Sequence, residues 1–213
     1  MKYTKKIYVV GNNIEYAAFI NNFTLVDDIT KADIVIFTGG EDVDPSIYGC
    51  EKHSKTYSNI NRDVYEKEVF LQISENQLVI GICRGSQFCC TMNGGLLVQD
   101  CNNHAIYGTH TIYEVATDKI YEITSTHHQM QYPWTINSEH FTVLFYAHPH
   151  LSDYFIGDKI DPMLASVEPE IVLYHKPGLP KCLAIQGHPE YMRKESIIIA
   201  RLNEIIDELW CKM

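Results

Sequence analysis

Apolar residues are distributed along the chain in two textures. In the first half they form short unbroken runs, "KKIYVVG" (5–11), "ADIVIFTGG" (32–40) and "QLVIGIC" (77–83), each closing on glycine or cysteine. Runs of this length, β-branched and uninterrupted, predict strands buried on both faces. Between them, "NIEYAAFINN" (13–22) predicts a short helix. Residues 41–61, with Pro45 and Gly49, show no helical period. From Asp63, the positions Val64, Phe70, Leu71 and Ile73 among charges predict a helix to about Asn76, and "RGSQFCCTMNGG" predicts a second helix closed by glycines. Strand, helix and strand in this order place parallel neighbours in a three-layer α/β fold.

Beyond Gly108 the runs give way to alternation. "HTIYEVATDKIYEITSTHH" and "HFTVLFYAH" alternate apolar and polar residues as half-exposed strands do, and strands recur at "EIVLYHK" and "CLAIQGH". The chain closes on "KESIIIARLNEIIDELWCKM" (194–213), apolar at helical spacing. The expected architecture is therefore a mostly parallel central sheet with an additional antiparallel β portion in the C-terminal half. With no linker, repeat or low-complexity stretch, residues 1–213 are expected to form a single domain.

Charge narrows the functional classes. Seventeen Lys and Arg against 27 Asp and Glu give a net charge of −10, without a basic run, so nucleic acid is not an expected partner. No segment approaches the roughly 20 apolar residues of a membrane span, and Ile7 to Val10 is too short for a signal-peptide core. Seven cysteines without CxxC spacing fit free thiols in a reducing cytoplasm better than a disulfide framework.

The chemistry concentrates at "GICRG". Cys83, between Gly81 and Gly85, follows an apolar strand and opens a helix, the form of a nucleophile elbow. Glycines are needed there because the turn brings strand and helix into contact, and the helix N-terminus favours a thiolate. A buried core cysteine is the competing reading of Cys83 alone. A base and an orienting carboxylate are offered by "AIQGHPEY" (184–191). If that backbone is extended, His188 and Glu190 point to one side, with Cα atoms roughly 6.5–7 Å apart. Glu190 would then hold one imidazole nitrogen and leave the other for Cys83. Oxyanion donors are expected from the backbone of Arg84 and of Gly39 and Gly40 in "FTGG". No metal or other cofactor is expected: His127, His128, His148 and His150 lack an H-x-x-x-H helix or a cysteine pair, and neither "TGG" nor "NGG" matches a phosphate-cradling motif.

Taken together, "TGGEDVDP..Y", "RD..E", "GICRGSQ", "HHQ" and "QGHPE" resemble the class I glutamine amidotransferases, in particular the γ-glutamyl-γ-aminobutyrate hydrolase branch, from about Ile34 to Glu190. The resemblance implies a Cys83–His188–Glu190 triad, an oxyanion hole at Gly40 and Arg84, and a γ-glutamyl thioester on Cys83. It also implies that Gln87 and the stretch Thr126, His127, His128 and Gln129 line a pocket for the glutamyl head. Three departures stand out. Gly187 replaces the family's usual aromatic residue, which would open the pocket wall beside His188. The segment before "TGG" is short, and residues 97–121 match loosely.

The expected function is hydrolysis of a small-molecule γ-glutamyl amide. If the leaving amine is ammonia, the protein is a glutaminase, feeding a synthase on a separate chain. A larger amine makes it a stand-alone hydrolase, which an acidic lip of Glu41, Asp42 and Asp44 would favour by attracting a cationic leaving group. A non-catalytic binding protein on the same fold is the remaining alternative.

Overall fold

The computed structural model describes residues 4–212; the first three residues and Met213 at the end of the expected domain and last helix lie outside the described residues. The chain opens with β1 (Lys5–Val9), β2 (Phe23–Leu25) and β3 (Ile34–Phe37), then helix α1 (Ile60–Phe70), β4 (Leu78–Ile82) and helix α2 (Arg84–Met92). Short strands β5 (Leu96–Val98) and β6 (Asp100–Cys101) lead into a long hairpin of β7 (Ala105–Glu114) and β8 (Lys119–Thr126). There follow β9 (Met130–Tyr132), β10 (Phe141–Ala147), β11 (Phe155–Ile156), a one-turn α3 (Pro162–Ala165), β12 (Pro169–Tyr174), β13 (Cys182–Ile185) and the closing helix α4 (Ile197–Trp210).

Nine strands form one sheet in the order β2-β1-β3-β4-β13-β12-β10-β7-β8. Pairing is parallel from β2 to β13 and antiparallel from β13 to β8. The parallel half is the layered α/β body that the apolar runs predict. Alternation along each strand sends successive residues to opposite faces. Ile34, Ile36, Leu78, Ile80, Ile82, Leu183 and Ile185 join one core with Ile198, Leu202 and Ile206 of α4. Val35, Phe37, Val79, Cys182 and Ala184 join the other with Val69 and Phe70 of α1 and Phe88 and Cys89 of α2. Helices on both faces explain why these strands carry no polar side.

Two expected elements are corrected. Residues 13–22 hold only a 3-10 turn at Ile14–Ala17. Ala17, Phe19 and Ile20 are all buried, and on a regular helix Phe19, two positions after Ala17, would point to the opposite side. The helix expected from Asp63 to Asn76 instead runs from Ile60 to Phe70. Asn59 caps it by accepting from Arg62 N–H, and a turn in which Gln77 Oε1 accepts from Ser74 N–H follows its end. All seven cysteines are free thiols. Among the described residues, no helix is long and apolar enough to cross a membrane.

Candidate active site

Three adjacent parallel strands, β3, β4 and β13, end at the same edge of the sheet, and each hands its next residues to one place. Phe37 pairs with Gly81 and Ile82 with Ile185, so Thr38–Gly40, Cys83 and Gln186–His188 leave the sheet side by side. The C-terminal edge of a parallel sheet is where such folds assemble sites.

The elbow is strained in the way its sequence requires. Cys83 has φ 52° and ψ −109°, a backbone region that side-chain-bearing residues rarely occupy. It is held there by its N–H donating to Ile185 O (2.8 Å) and by Ser86, whose N–H and Oγ both donate to Cys83 O. A Cβ on Gly81 would stand 2.3 Å from Gly85 O, and one on Gly85 would stand 2.2 Å from Phe37 O. Both obstacles are backbone atoms that cannot swing aside, so the G-x-C-x-G spacing is a packing requirement.

His188 lies against this elbow. A Cβ on Gly39 would meet His188 Cε1 at 3.0 Å and Cys83 Cβ at 3.6 Å, so the imidazole and the thiol flank the same glycine. Nδ1 of His188 is 2.7 Å from Glu190 Oε1, which leaves Nε2 as its free nitrogen. The local backbone is not the extended one expected: Pro189–Tyr191 form a 3-10 turn, which returns Glu190 to the ring. Burial opposes a charge on His188, but contacts with Cys83 and Glu190 outweigh it and push the imidazole up to about 10. A charged imidazole is the neighbour that a thiolate nucleophile needs.

Two further contacts position His188. Thr124 of β8 accepts from His188 N–H (3.0 Å) and donates to His188 O (2.8 Å). Tyr191 stacks on the imidazole at 4.9 Å between ring centroids. The open wall expected at Gly187 is not found. A Cβ there would lie 2.6 Å from Thr124 O and 2.8 Å from Ile123 Cγ1, because the β7–β8 hairpin occupies the space.

The oxyanion candidates are oriented from behind. Arg62 donates to Gly39 O (2.9 Å), and since a peptide unit is planar, the Gly40 N–H is turned the opposite way. Among the described residues, neither Gly40 N–H nor Arg84 N–H has an intramolecular acceptor. The Arg84 side chain, 1% exposed, turns into the protein and pairs with Asp63 and Glu66. Arg62 in turn pairs with Glu66 and Glu41, each at 2.8 Å, and Asp63 accepts from Asp44 N–H. This buried ion network ties α1, α2 and the loop after β3 together beneath the site. "RD..E" belonged to the motif set, but its role was not assigned from the sequence.

The acidic lip does not form. Glu41 is bound to Arg62, and Asp42 accepts from Tyr57 N–H (2.8 Å) and faces His128 Nε2 at 3.2 Å. Asp44 caps the turn Pro45–Tyr48 and accepts from both Ser46 and Ser58. These partners, with Lys52 nearby, hold its carboxyl down to about 2 against burial, the largest single contribution. The signal was present in "DPS": an Asp before proline at a helix start is a cap.

The expected pocket residues separate. Thr126 is exposed and lines an open cavity of about 710 Å³ with Thr124, Tyr191 and Arg193; neither Cys83 nor Gly40 lines it. Gln87 Nε2 donates to Gln129 O (3.0 Å), and Gln129 Nε2 in turn donates to Thr56 of the 41–61 segment (3.2 Å). His128 is half-buried between Asp42 and Asp100. His127 turns inward, away from solvent, toward Glu170. Tyr16, which sequence reasoning did not single out, packs beside His188 at 6.3 Å and close to Gly39.

Residues 21–140 match the Peptidase C26 family. The chain is 26% identical over 172 residues to protein NtpR of Enterococcus hirae, covering 76% of this chain and 68% of that protein. It is 30% identical over 122 residues to a putative glutamine amidotransferase-like protein, YvdE, of Lactococcus lactis, covering 48% of this chain and 52% of that protein. The second relative is thus about twice as long as the region matched. A crystal structure of a putative GMP synthase subunit from Thermoplasma acidophilum superposes with a TM-score of 0.62 at 14% identity, covering 100% of this chain and 96% of that one. At that identity the likeness concerns the fold.

Proposed function

The chain belongs to the Peptidase C26 family, and on that footing we propose that it is a cysteine hydrolase cleaving γ-glutamyl amides through a thioester on Cys83. The observation that carries the reading is the strained elbow at Cys83 meeting an imidazole whose other nitrogen is held by Glu190 at 2.7 Å. In this scheme the Cys83 sulfur attacks the γ-carbonyl carbon and the carbonyl oxygen takes the negative charge. The N–H groups of Gly40 and Arg84, with Gly39 shaping the turn, receive that charge. As the tetrahedral intermediate collapses, the C–N bond breaks and His188 gives its proton to the departing amine. Now neutral, His188 takes a proton from water as the water oxygen adds to the thioester carbon; the C–S bond then breaks, releasing glutamate and returning the electron pair to the Cys83 sulfur.

The leaving amine separates two versions of the proposal. A stand-alone hydrolase, such as one of the γ-glutamyl-γ-aminobutyrate branch, releases a larger amine. A glutaminase releases ammonia for a synthase partner. The loss of the acidic lip removes the reason to favour cationic amines. Incubation with glutamine and a panel of γ-glutamyl amines, followed by glutamate detection, tests both. Glutamate from any of them, abolished in Cys83→Ala, supports the reading; turnover retained in Cys83→Ala overturns it.

A further inference from the structure

Three histidines and a glutamate from distant parts of the chain meet in the interior, away from Cys83. His104 precedes β7, His110 lies on it, His127 follows β8 and Glu170 belongs to β12. All four are buried, with His104 and Glu170 at 0% exposure. We propose that His104, His110 and Glu170, with His127 beside them, form a closed site for a divalent transition metal of the zinc class, pinning the β7–β8 hairpin to the sheet.

The distances fit. With metal–nitrogen and metal–oxygen bonds of about 2.0–2.2 Å, the ligand atoms of a tetrahedral site stand roughly 3.3–3.5 Å apart. Glu170 Oε1 lies 3.2 Å from His104 Nδ1, 3.1 Å from His110 Nε2 and 3.5 Å from His127 Nε2. The candidate ligand atoms of His104, His110 and Glu170 all lie within 4.8 Å of one another, a set that does not include His127.

Hydrogen bonding does not account for the cluster. These three nitrogens and both Glu170 oxygens are buried without a partner in hydrogen-bond geometry. Buried polar groups are otherwise satisfied, and so many orphans in one place call for an explanation. His127 makes the case sharper. Its Nδ1 lies 2.9 Å from Gln129 O, a carbonyl that can only accept, so Nδ1 carries the hydrogen. In the neutral imidazole this leaves a lone pair on Nε2, which faces Glu170 Oε1 at 3.5 Å. Two lone pairs facing each other repel; a cation between them turns the repulsion into ligation.

The outer contacts are those of a ligand set. A metal-bound histidine commonly gives its other N–H to a carbonyl or carboxylate, which fixes tautomer and ring orientation. His127 has Gln129 O in that role. His104 Nε2 faces Glu168 Oε1 at 3.3 Å, outside hydrogen-bond geometry, and Glu168 is itself fixed by Leu151 and Ser152 N–H groups. With every member buried, the site is closed to substrate, which marks it as structural, not catalytic. Its reach to the active site is through β8, whose Thr124 clasps the His188 backbone.

The test uses the whole protein, stripped with a chelator and titrated with Zn²⁺ by calorimetry and with Co²⁺ by absorption. One equivalent per chain is expected, with Co²⁺ giving the visible bands of tetrahedral coordination and no near-ultraviolet charge-transfer band of the kind a cysteine ligand produces. Glu168→Gln should weaken Zn²⁺ binding by about 10–100-fold, as for other outer partners, and His110→Ala should abolish it. Should His110→Ala fail to fold, the cobalt spectrum of the unmodified protein decides alone. Absence of stoichiometric binding, a thiolate band, or full retention of metal by His110→Ala would overturn the proposal and leave a buried histidine–carboxylate cluster.

Discussion

Replacing Arg84 with Met probes the foundation of the site without touching the thiol. In the native protein the guanidinium, 1% exposed, pairs with Asp63 at 0% and Glu66 at 3%. Methionine fills much of the aliphatic volume but removes the charge. Glu66 keeps Arg62 at 2.8 Å, whereas Asp63 retains only the N–H of Asp44. Breaking a buried ion pair by deleting one partner costs roughly 3–5 kcal/mol, because the remaining charge is left uncompensated. For a chain of this size each kcal/mol lowers Tm by about 2–4 °C, so a fall of roughly 6–20 °C is expected in calorimetry at pH 7. The pH dependence supplies an internal control. Burial already raises the Asp63 carboxyl above its ordinary value of 3.8 while Arg84 opposes that rise. Without Arg84 the folded-state value climbs further, so the folded protein takes up a proton that the unfolded chain binds only at lower pH. The deficit should therefore be largest near neutrality and shrink on acidification toward 3.8. A loss under about 1 kcal/mol, the scale of an exposed pair, or a deficit unchanged by pH, would refute the reasoning.

Two other perturbations address the edge where His188 sits. Glu190→Gln removes one of the contacts that hold His188 at about 10, so the alkaline limb of kcat/KM should move to lower pH; an unmoved limb contradicts Glu190 as its partner. The stability that these contacts lend through His188 is fully present below about 6.5 and is lost as pH rises through about 10, since the folded-state value is raised. Gly187→Ala, whose Cβ would stand 2.6 Å from Thr124 O, should cost about 1–3 kcal/mol as overpacking does and lower kcat by shifting the adjacent His188; a neutral substitution, read by denaturant unfolding, counts against this packing.

What the sequence revealed depended on how local the cause was. Strands β3 and β4 were legible because burial on both faces writes itself as an unbroken apolar run. The elbow was legible because the glycines flanking Cys83 and the cysteine itself lie within five residues. The acidic stretch was misread for a different reason: composition shows three carboxylates, but only the fold shows that Arg62, His128, Ser46 and Ser58 engage them. Likewise, the aromatic missing at Gly187 suggested space, and the space is filled by a hairpin more than 60 residues away in sequence. The histidine–glutamate cluster left no local trace at all. Its members come from three strand regions whose association follows from sheet order, with β12 separated from β7 by β10.

The central claim is that Cys83 is the one cysteine of seven that carries the γ-glutamyl group. The most direct measurement is acid quenching during turnover of a γ-glutamyl amide, followed by mass spectrometry of the digested protein. The account predicts a glutamyl thioester on the peptide holding Cys83, absent in Cys83→Ala, and stronger in Glu190→Gln if deacylation slows more than acylation. A glutamyl adduct on any other cysteine, or turnover that continues in Cys83→Ala, would contradict it.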